Sequence, residues 1–201
     1  MNKPPRTKTV PVKRAYTRGG RPVRVALVGL PNSGKSTLFK TVASTAVQTG
    51  ELAGTRRAYN ECAVQIGVDE VRLVELPSIA SLHDLAHDER VTLQYLLWGD
   101  KRPPIAAHEP GGPPAPFAPP DVIIQMVDAT ALARHLEFTL ELSQLGRPMV
   151  IALNMMDDAA RKGLHINHRR LSKQLGIPVV PTTVVMGLGI MEMFNAALAS
   201  L

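Results

Sequence analysis

A glycine-containing turn between an apolar run and a helical segment restricts the fold of this chain more than any other feature. Residues 29–36 read GLPNSGKS and match the phosphate-binding pattern GxxxxGK[ST] in full. Residues 23–28 (VRVALV) predict a buried strand before it, and residues 35–44 predict a helix after it. This order directs backbone N–H groups and the positive end of the helix dipole toward one anion. The chain is therefore predicted to bind a nucleoside triphosphate.

The residues of this turn have separate predicted roles. The ammonium of Lys35 neutralises the β- and γ-phosphates, and the hydroxyl of Ser36 ligates Mg²⁺. The other predicted phosphate contacts come from the loop and the first helical turn: Pro31, Asn32, Ser33, Gly34 and Thr37.

The positive charge of the chain is concentrated at its N-terminal end. The net charge is +6, yet residues 1–24 carry eight basic residues and no acid, so the remaining 177 residues sum to −2. Residues 1–22 are predicted to be a disordered basic arm, and residues 23–201 one domain. Contact of the arm with an anionic membrane surface is the alternative to a solvated tail. The arm contains no recognisable RNA-binding module, so nucleic acid is not a predicted partner.

Strand-like apolar runs alternate with helical patterns along this domain. The predicted strands are residues 23–28, 62–66, 71–76, 122–127, 149–153 and 179–181. The predicted helices are residues 35–44, 82–98, 132–145, 167–175 and 190–201. This alternation predicts an α/β fold with a doubly wound, mostly parallel six-stranded sheet, whose ligands bind at the carboxyl ends of the strands. Residues 102–120 hold eight prolines and are predicted to form an exposed insert.

A second motif follows the predicted strand 149–153. Residues 152–157 read ALNMMD, and the carboxylate of Asp157 is able to accept from both N1–H and the exocyclic amine of guanine. Adenine has no such donor pair, so the carboxylate selects guanine. Asn154 is expected to brace the pocket and to reach the O6 side of the base. ATP is the competing ligand.

These motifs together resemble the cytosolic G domain of the ferrous iron transport protein B (FeoB) family. The similar stretches are residues 29–36, 127–130 (VDAT), 136–142 (LEFTLEL), 152–157, 174–181 (QLGIPVVP) and 187–190 (GLGI). Coverage runs from about Arg24 to Leu201, without the basic arm and the proline-rich insert. Met155, at a position where most small GTPases have lysine, is also a trait of this family.

The resemblance implies a Ras-like P-loop GTPase fold that binds GTP or GDP with Mg²⁺ and hydrolyses GTP slowly. It also implies a link to Fe²⁺ uptake at the cytoplasmic face of the bacterial inner membrane. The family's equivalent of Asn32 helps to hold a K⁺ ion that replaces an arginine finger, so Asn32 and Lys35 are the predicted catalytic residues. Met155 and the backbone N–H of Val184 are predicted to contact the nucleotide beside the base.

The chain departs from the family pattern where the γ-phosphate is sensed. Residues 75–78 read ELPS in place of DLPG, so Glu75 is expected to contact Mg²⁺ only indirectly, from a shifted position. Arg56 stands in place of the Mg²⁺-binding threonine, and Thr55 lies one residue early, so it binds Mg²⁺ only if the loop slips. Because these changes spare the groups for the α/β-phosphates and guanine, we expect robust GDP binding and weak GTP hydrolysis.

Chains of this family usually continue into a helical subdomain and a transmembrane permease, whereas the sequence given ends at Leu201. It is therefore interpreted as an atypical member without the helical subdomain, either a fragment of a transporter or a free G module. The expected partners are guanine nucleotide, a permease domain of the same or another chain, and a second copy in a homodimer. His83 and His87 have a spacing that suits Fe²⁺, but an exposed polar helix face is favoured.

Three functions remain open at this point. The first is a GTPase-type switch that regulates ferrous iron transport. The second is a nucleotide-binding interaction or assembly module that switches little, which the altered residues 75–78 and Arg56 favour. The third is an ATP-dependent enzyme, which requires that ATP binding survive competition by guanine nucleotide.

Overall fold

Strands alternate with helices along most of the domain, as the sequence predicts. The computed structural model of the chain describes residues 17–18, 21–43, 48–51, 58–67, 69–83, 90–99 and 119–201. The strands are β1 (Thr17–Arg18), β2 (Arg21–Pro22), β3 (Arg24–Val28), β4 (Gln48–Glu51), β5 (Ala58–Ile66), β6 (Asp69–Glu75), β7 (Val122–Asp128), β8 (Met149–Asn154) and β9 (Val179–Pro181). The helices are α1 (Lys35–Val42), α2 (Arg90–Trp98), α3 (Leu132–Ser143), α4 (Met156–Arg161), α5 (His168–Leu175) and α6 (Ile190–Ala199).

The main sheet is mostly parallel and has the order β4-β5-β6-β3-β7-β8-β9. Strand β3 pairs in parallel with β6 and β7, and the parallel pairing continues through β8 to β9. Strand β5 is antiparallel to both of its neighbours. All six predicted strands are present, and β4 adds a seventh at the edge. The residues of β4 (QTGE) lack the apolar alternation by which a strand is predicted.

Both faces of the sheet are covered by helices. On β3, Val25 and Leu27 face a core that includes α1 and α6, whereas Ala26 and Val28 face a core that includes α2 and α3. A third cluster packs α5 and Ala159 of α4 against β8 and β9. Parallel strands are buried on both faces and are therefore apolar along their buried length, as residues 25–28 of β3 are.

Several boundaries differ from the predictions. The predicted helix 82–98 begins at Arg90, residues 82 and 83 form a bend, and residues 84–89 lie outside the described part. Two hydrogen bonds hold the bend: the N–H of His83 donates to Ser81 Oγ at 3.0 Å, and the N–H of Leu82 donates to the carboxylate of the distant Glu141 at 2.5 Å. The short helix α4 was not predicted.

Two predicted segments fall largely outside the described residues. Most of the basic arm 1–22 is one of them, although β1 and β2 within it pair as an antiparallel ribbon. Residues 102–118 of the proline-rich insert are the other. Within the part of the chain that the structure describes, no helix is long and apolar enough to cross a bilayer.

Candidate nucleotide-binding site

Four strand ends meet at one edge of the sheet and carry the motifs. Strands β3, β6, β7 and β8 are parallel, and they end at Val28, Glu75, Asp128 and Asn154. The phosphate loop therefore lies beside residues 75–78 and the 152–157 motif. In open α/β sheets, this carboxyl edge is where ligands bind.

Two glycines of the phosphate loop are required by close contacts. A Cβ at Gly34, whose φ is +93°, meets Nδ2 of Asn154 at 2.3 Å. A Cβ at Gly29 meets the backbone oxygen of Met126 at 2.6 Å. Real Cβ atoms do not approach other atoms this closely, so the loop packs against β7 and β8 only because glycine stands at both positions.

The rest of the loop is closed on itself and leaves its outer residues exposed. Ser33 is buried, and its hydroxyl donates to the backbone oxygen of Leu30 at 2.9 Å. Asn32 has a φ of 64°, in the left-handed region, and lies at the exposed side of the turn. The other predicted phosphate contacts Pro31, Ser36 and Thr37 are also exposed. The structure thus leaves this side of the loop open to a ligand.

Asn154 joins the phosphate loop to the side predicted to hold the base. Its Nδ2 donates to the backbone oxygen of Ser33 at 3.1 Å, and its Oδ1 accepts from the N–H of Val184 at 3.1 Å. The hydroxyl of Thr182 lies 3.5 Å from the same Oδ1. Asn154 is buried, so these bonds fix the amide orientation. The N–H of Val184, predicted to contact the nucleotide, is bonded to Asn154 in this structure.

Asp157 lies in the first turn of α4 with its side chain 26% exposed. The guanidinium of Arg161 is 3.9 Å from its carboxylate and makes the closer ion pair with Asp158. Met155, the residue just before α4, has a φ of 61° and forms the N-cap of this helix. Asp157 is therefore accessible and keeps most of its acceptor capacity for a ligand.

Lys35 is surrounded by three oxygen atoms. Its Nζ donates to the backbone oxygens of Gly29 at 3.0 Å and Leu30 at 3.5 Å, and to the hydroxyl of Ser78. Burial lowers the pKa of Lys35 from 10.5 to about 8, against the opposing effect of the Glu75 carboxylate. The ammonium is charged at neutral pH and already bonded to protein groups.

Glu75, predicted to contact Mg²⁺ only indirectly, is hydrogen-bonded to the predicted Mg²⁺ ligand Ser36. Its Oε1 accepts from the hydroxyl of Ser36 at 2.5 Å, and its Oε2 accepts from Nδ2 of Asn60 at 3.0 Å. The longer side chain of glutamate spans the gap between β6 and α1. A carboxylate and a hydroxyl side by side are the oxygen ligands that suit Mg²⁺, which binds proteins through one or two carboxylates together with phosphate oxygens. The residues present therefore fit the ion.

Other predicted residues are not brought into the site. Thr55 and Arg56 lie outside the described residues, and so does His87. His83 is exposed. Among the described residues, no group of three or more His, Cys, Asp or Glu side chains is able to hold a metal ion.

Sequence reasoning missed one contact of the site. It noted that Ser78 replaces a glycine, but not that the hydroxyl reaches the ammonium of Lys35. The two residues are 43 positions apart, and only the parallel pairing of β3 with β6 brings them together. The presence of a hydroxyl at position 78 was the one available signal.

Comparison with known proteins agrees with this geometry. A family model described as "Ferrous iron transport protein B" matches residues 23–106 and 117–197. The Fe(2+) transporter FeoB of Escherichia coli K12 is 34% identical over 170 residues, which are 83% of this chain and 20% of that protein. A Fe(2+) transport protein A/FeoB fusion protein of Porphyromonas gingivalis is 32% identical over 90% of this chain and 19% of its own length. The chain thus spans about a fifth of the curated relatives that it matches.

Solved structures show the same fold. The G domain of the FeoB iron transporter of T. maritima has a TM-score of 0.72 and 27% identity, over 89% of this chain and 98% of that one. A GDP-bound NFeoB mutant of S. thermophilus has a TM-score of 0.72 and 29% identity, over 89% of this chain and 64% of that one. The cytosolic domain of L. pneumophila FeoB has a TM-score of 0.74 and 29% identity, over the same shares. Because the family model matches most of the chain and the solved G domain of a family member has the same fold, the chain belongs to the ferrous iron transport protein B family, as a G domain.

Proposed function

We propose that this chain is a GTP- and GDP-binding G domain that regulates ferrous iron transport and hydrolyses GTP weakly. The observation that carries the proposal is the amide of Asn154, which joins the phosphate loop at Ser33 to the Val184 side of the site. A site of this shape holds a base and its phosphates at a fixed separation. The GDP-bound structure of the S. thermophilus relative supports the same ligand.

Each part of the nucleotide has a matching group. The N–H groups at the start of α1 and the Lys35 ammonium bind phosphate, because both present positive charge to one point. The accessible carboxylate of Asp157 binds the N1–H and the amine of guanine. Met155 and Val184 flank the base, and the Val184 N–H either remains with Asn154 or turns to the ligand.

Mg²⁺ and K⁺ are proposed as cofactors on the residues that fit them. Ser36 and Glu75 would hold Mg²⁺, which neutralises phosphate charge when bound. Thr55 would join them only if its loop places it there. The exposed amide of Asn32 would contribute an oxygen to K⁺.

Weak hydrolysis is proposed because Ser36 and Lys35 are both hydrogen-bonded to other side chains. Glu75 holds the Ser36 hydroxyl, and Ser78 holds the Lys35 ammonium. Both contacts have to change before these groups are able to stabilise a γ-phosphoryl transition state, and such stabilisation supplies most of the catalysis in phosphoryl transfer. A single-turnover assay with Mg²⁺ and either K⁺ or Na⁺ tests this claim. A slow rate that K⁺ stimulates agrees with it, and a rate equal to that of an efficient FeoB relative contradicts it.

The same two contacts favour a second function, that of a nucleotide-binding assembly module with little switching. In that case residues 75–83 keep their positions whether GDP or a GTP analogue is bound. Hydrogen exchange of this segment in the two complexes distinguishes the two functions. Different protection supports the switch, and equal protection supports the module.

Calorimetry with GDP, a non-hydrolysable GTP analogue and ATP tests nucleotide choice. We expect GDP and the GTP analogue to bind and ATP to fail as a competitor, because adenine cannot satisfy the Asp157 carboxylate. Binding of ATP that survives an excess of GDP would instead indicate the ATP-dependent enzyme.

Partners and location are proposed from family membership. We propose a permease domain of the same or another chain as partner, a homodimer, and a position at the cytoplasmic face of the bacterial inner membrane. Sedimentation at tens of micromolar tests the dimer, and a purely monomeric boundary contradicts it. The division into an arm over 1–22 and a G domain over 23–201 with an insert at 102–120 is tested by limited proteolysis, which should cut the arm and the insert first.

A further inference from the structure

The ammonium of Lys35 has no donor to spare. An ammonium carries three N–H groups, and Lys35 has three acceptors: the backbone oxygens of Gly29 and Leu30 and the hydroxyl of Ser78. Lys35 is only 5% exposed, so water does not supply further partners easily. Any phosphate oxygen that binds this ammonium must replace one of these acceptors.

The three acceptors are not equally held. The contact with Leu30 is the longest, at 3.5 Å, and is therefore the weakest. A diphosphate requires one donor from Lys35 and is able to take it from Leu30. A triphosphate engages the lysine with both its β- and γ-phosphates and requires a second donor. That second donor has to come from Gly29, at 3.0 Å, or from Ser78.

The loop that carries Ser78 is fixed on both sides. On one side, the hydroxyl of the fully buried Thr92 donates to the backbone oxygen of Pro77 at 2.8 Å. On the other side, the Ser81 hydroxyl and the Leu82 N–H both donate to the carboxylate of Glu141 in α3. The Ser78 hydroxyl is thus held at Lys35 by protein contacts that involve no nucleotide.

We propose that Ser78 is a specificity-determining residue that makes the site prefer a nucleoside diphosphate to the corresponding triphosphate. Its hydroxyl occupies the donor of Lys35 that a γ-phosphate needs, so a triphosphate binds only after displacing it. The inference rests on the proposed nucleotide binding. A glycine or alanine at position 78 lacks the hydroxyl and removes the preference.

The test compares four proteins by calorimetry in Mg²⁺: wild type, Ser78→Ala, Ser78→Thr and the control Ser172→Ala. Ser172 is a matched control because its hydroxyl donates to the backbone oxygen of Ile177 at 2.8 Å, on α5. The readout is the ratio of the Kd values for GDP and a non-hydrolysable GTP analogue. We expect Ser78→Ala to shift this ratio toward the triphosphate by about tenfold, as loss of one bond to a charged group predicts. Ser78→Thr, which keeps a hydroxyl, and Ser172→Ala should retain the wild-type ratio.

A ratio that stays within about twofold of wild type in Ser78→Ala overturns the inference while leaving nucleotide binding intact. If the folded wild type binds neither nucleotide, the proposed function fails, and the contact itself is tested by acetylation of Lys35 with an amine-reactive ester, followed by peptide mass spectrometry. Faster acetylation in Ser78→Ala than in wild type supports the hydrogen bond between Lys35 and the Ser78 hydroxyl. Equal rates contradict it.

Discussion

The two sides of the candidate nucleotide site are organised in opposite ways. On the base side, the amide of Asn154 is hydrogen-bonded to the backbone of Ser33 and Val184, and the carboxylate of Asp157 is accessible. On the γ-phosphate side, the groups that would meet the ligand are bonded to each other, as Lys35 with Ser78 shows. The base side is therefore prepared for a ligand, whereas the γ-phosphate side is satisfied without one. Robust binding with weak chemistry is the expected result.

The largest effect should come from a substitution at Gly34, because this residue of the phosphate loop lies directly against Asn154. In Gly34→Ala, a left-handed backbone and a Cβ 2.3 Å from Asn154 Nδ2 act together, so the amide is forced off Ser33. We expect the free energy of unfolding to fall by about 3 kcal/mol, from backbone strain and an unpaired buried amide. Urea denaturation measures the change. Gly163→Ala, at a φ of +70° with open space around it, is the control and should lose only about 1 kcal/mol.

The second prediction concerns Asp157, the residue on the base side that is proposed to contact the guanine directly. Asp157→Ala removes a charged acceptor for two guanine donors, so we expect GDP affinity to fall by about 100-fold. Asp158→Ala is the control, because this neighbouring carboxylate pairs with Arg161 and should not touch the base. Calorimetry with GDP measures both. Equal losses in the two variants would contradict the role of Asp157.

The γ-phosphate side predicts a pH dependence of binding. Burial lowers the pKa of Lys35 to about 8, so the free protein loses this charge as the pH rises through 8. Only the charged form binds phosphate well, and GDP affinity should therefore fall by about fivefold between about pH 7 and about pH 8.7. Titrations at several pH values measure it, and an affinity that rises with pH would contradict it.

The smallest expected effect is on the pH dependence of stability and comes from the buried His135. Burial lowers the pKa of His135, Asp128 raises it, and the charges of Arg134 and Lys35 lower it further. Because the unfolded chain takes up a proton near pH 6.5 and the folded protein does so at lower pH, the free energy of unfolding should decrease as the pH falls below about 6.5. Urea denaturation at several pH values measures the slope. His135→Gln should reduce this slope, and an unchanged slope would contradict the role of His135.

The parts of the fold that were predicted from sequence are those with a local pattern. The apolar residues of β3 predict their own structure, because a strand buried on both faces requires apolar side chains. The glycines of the phosphate loop do the same, because a tight turn requires glycine. Strand β4 was missed because its residues, QTGE, show no apolar alternation, and only its pairing with β5 identifies it as a strand. Contacts such as Asn154 with Ser33, 121 residues apart, depend on strand order and register, which no local pattern records.

Glu141 connects the loop of residues 77–83 to α3, which packs in the same core. One carboxylate on α3 accepts from both the hydroxyl of Ser81 and the N–H of Leu82. A ligand that displaces these two residues must therefore either break both bonds or carry α3 with it. By thermodynamic reciprocity, a partner that holds α3 in place would also oppose that displacement, and would so lower the affinity of any ligand that requires it.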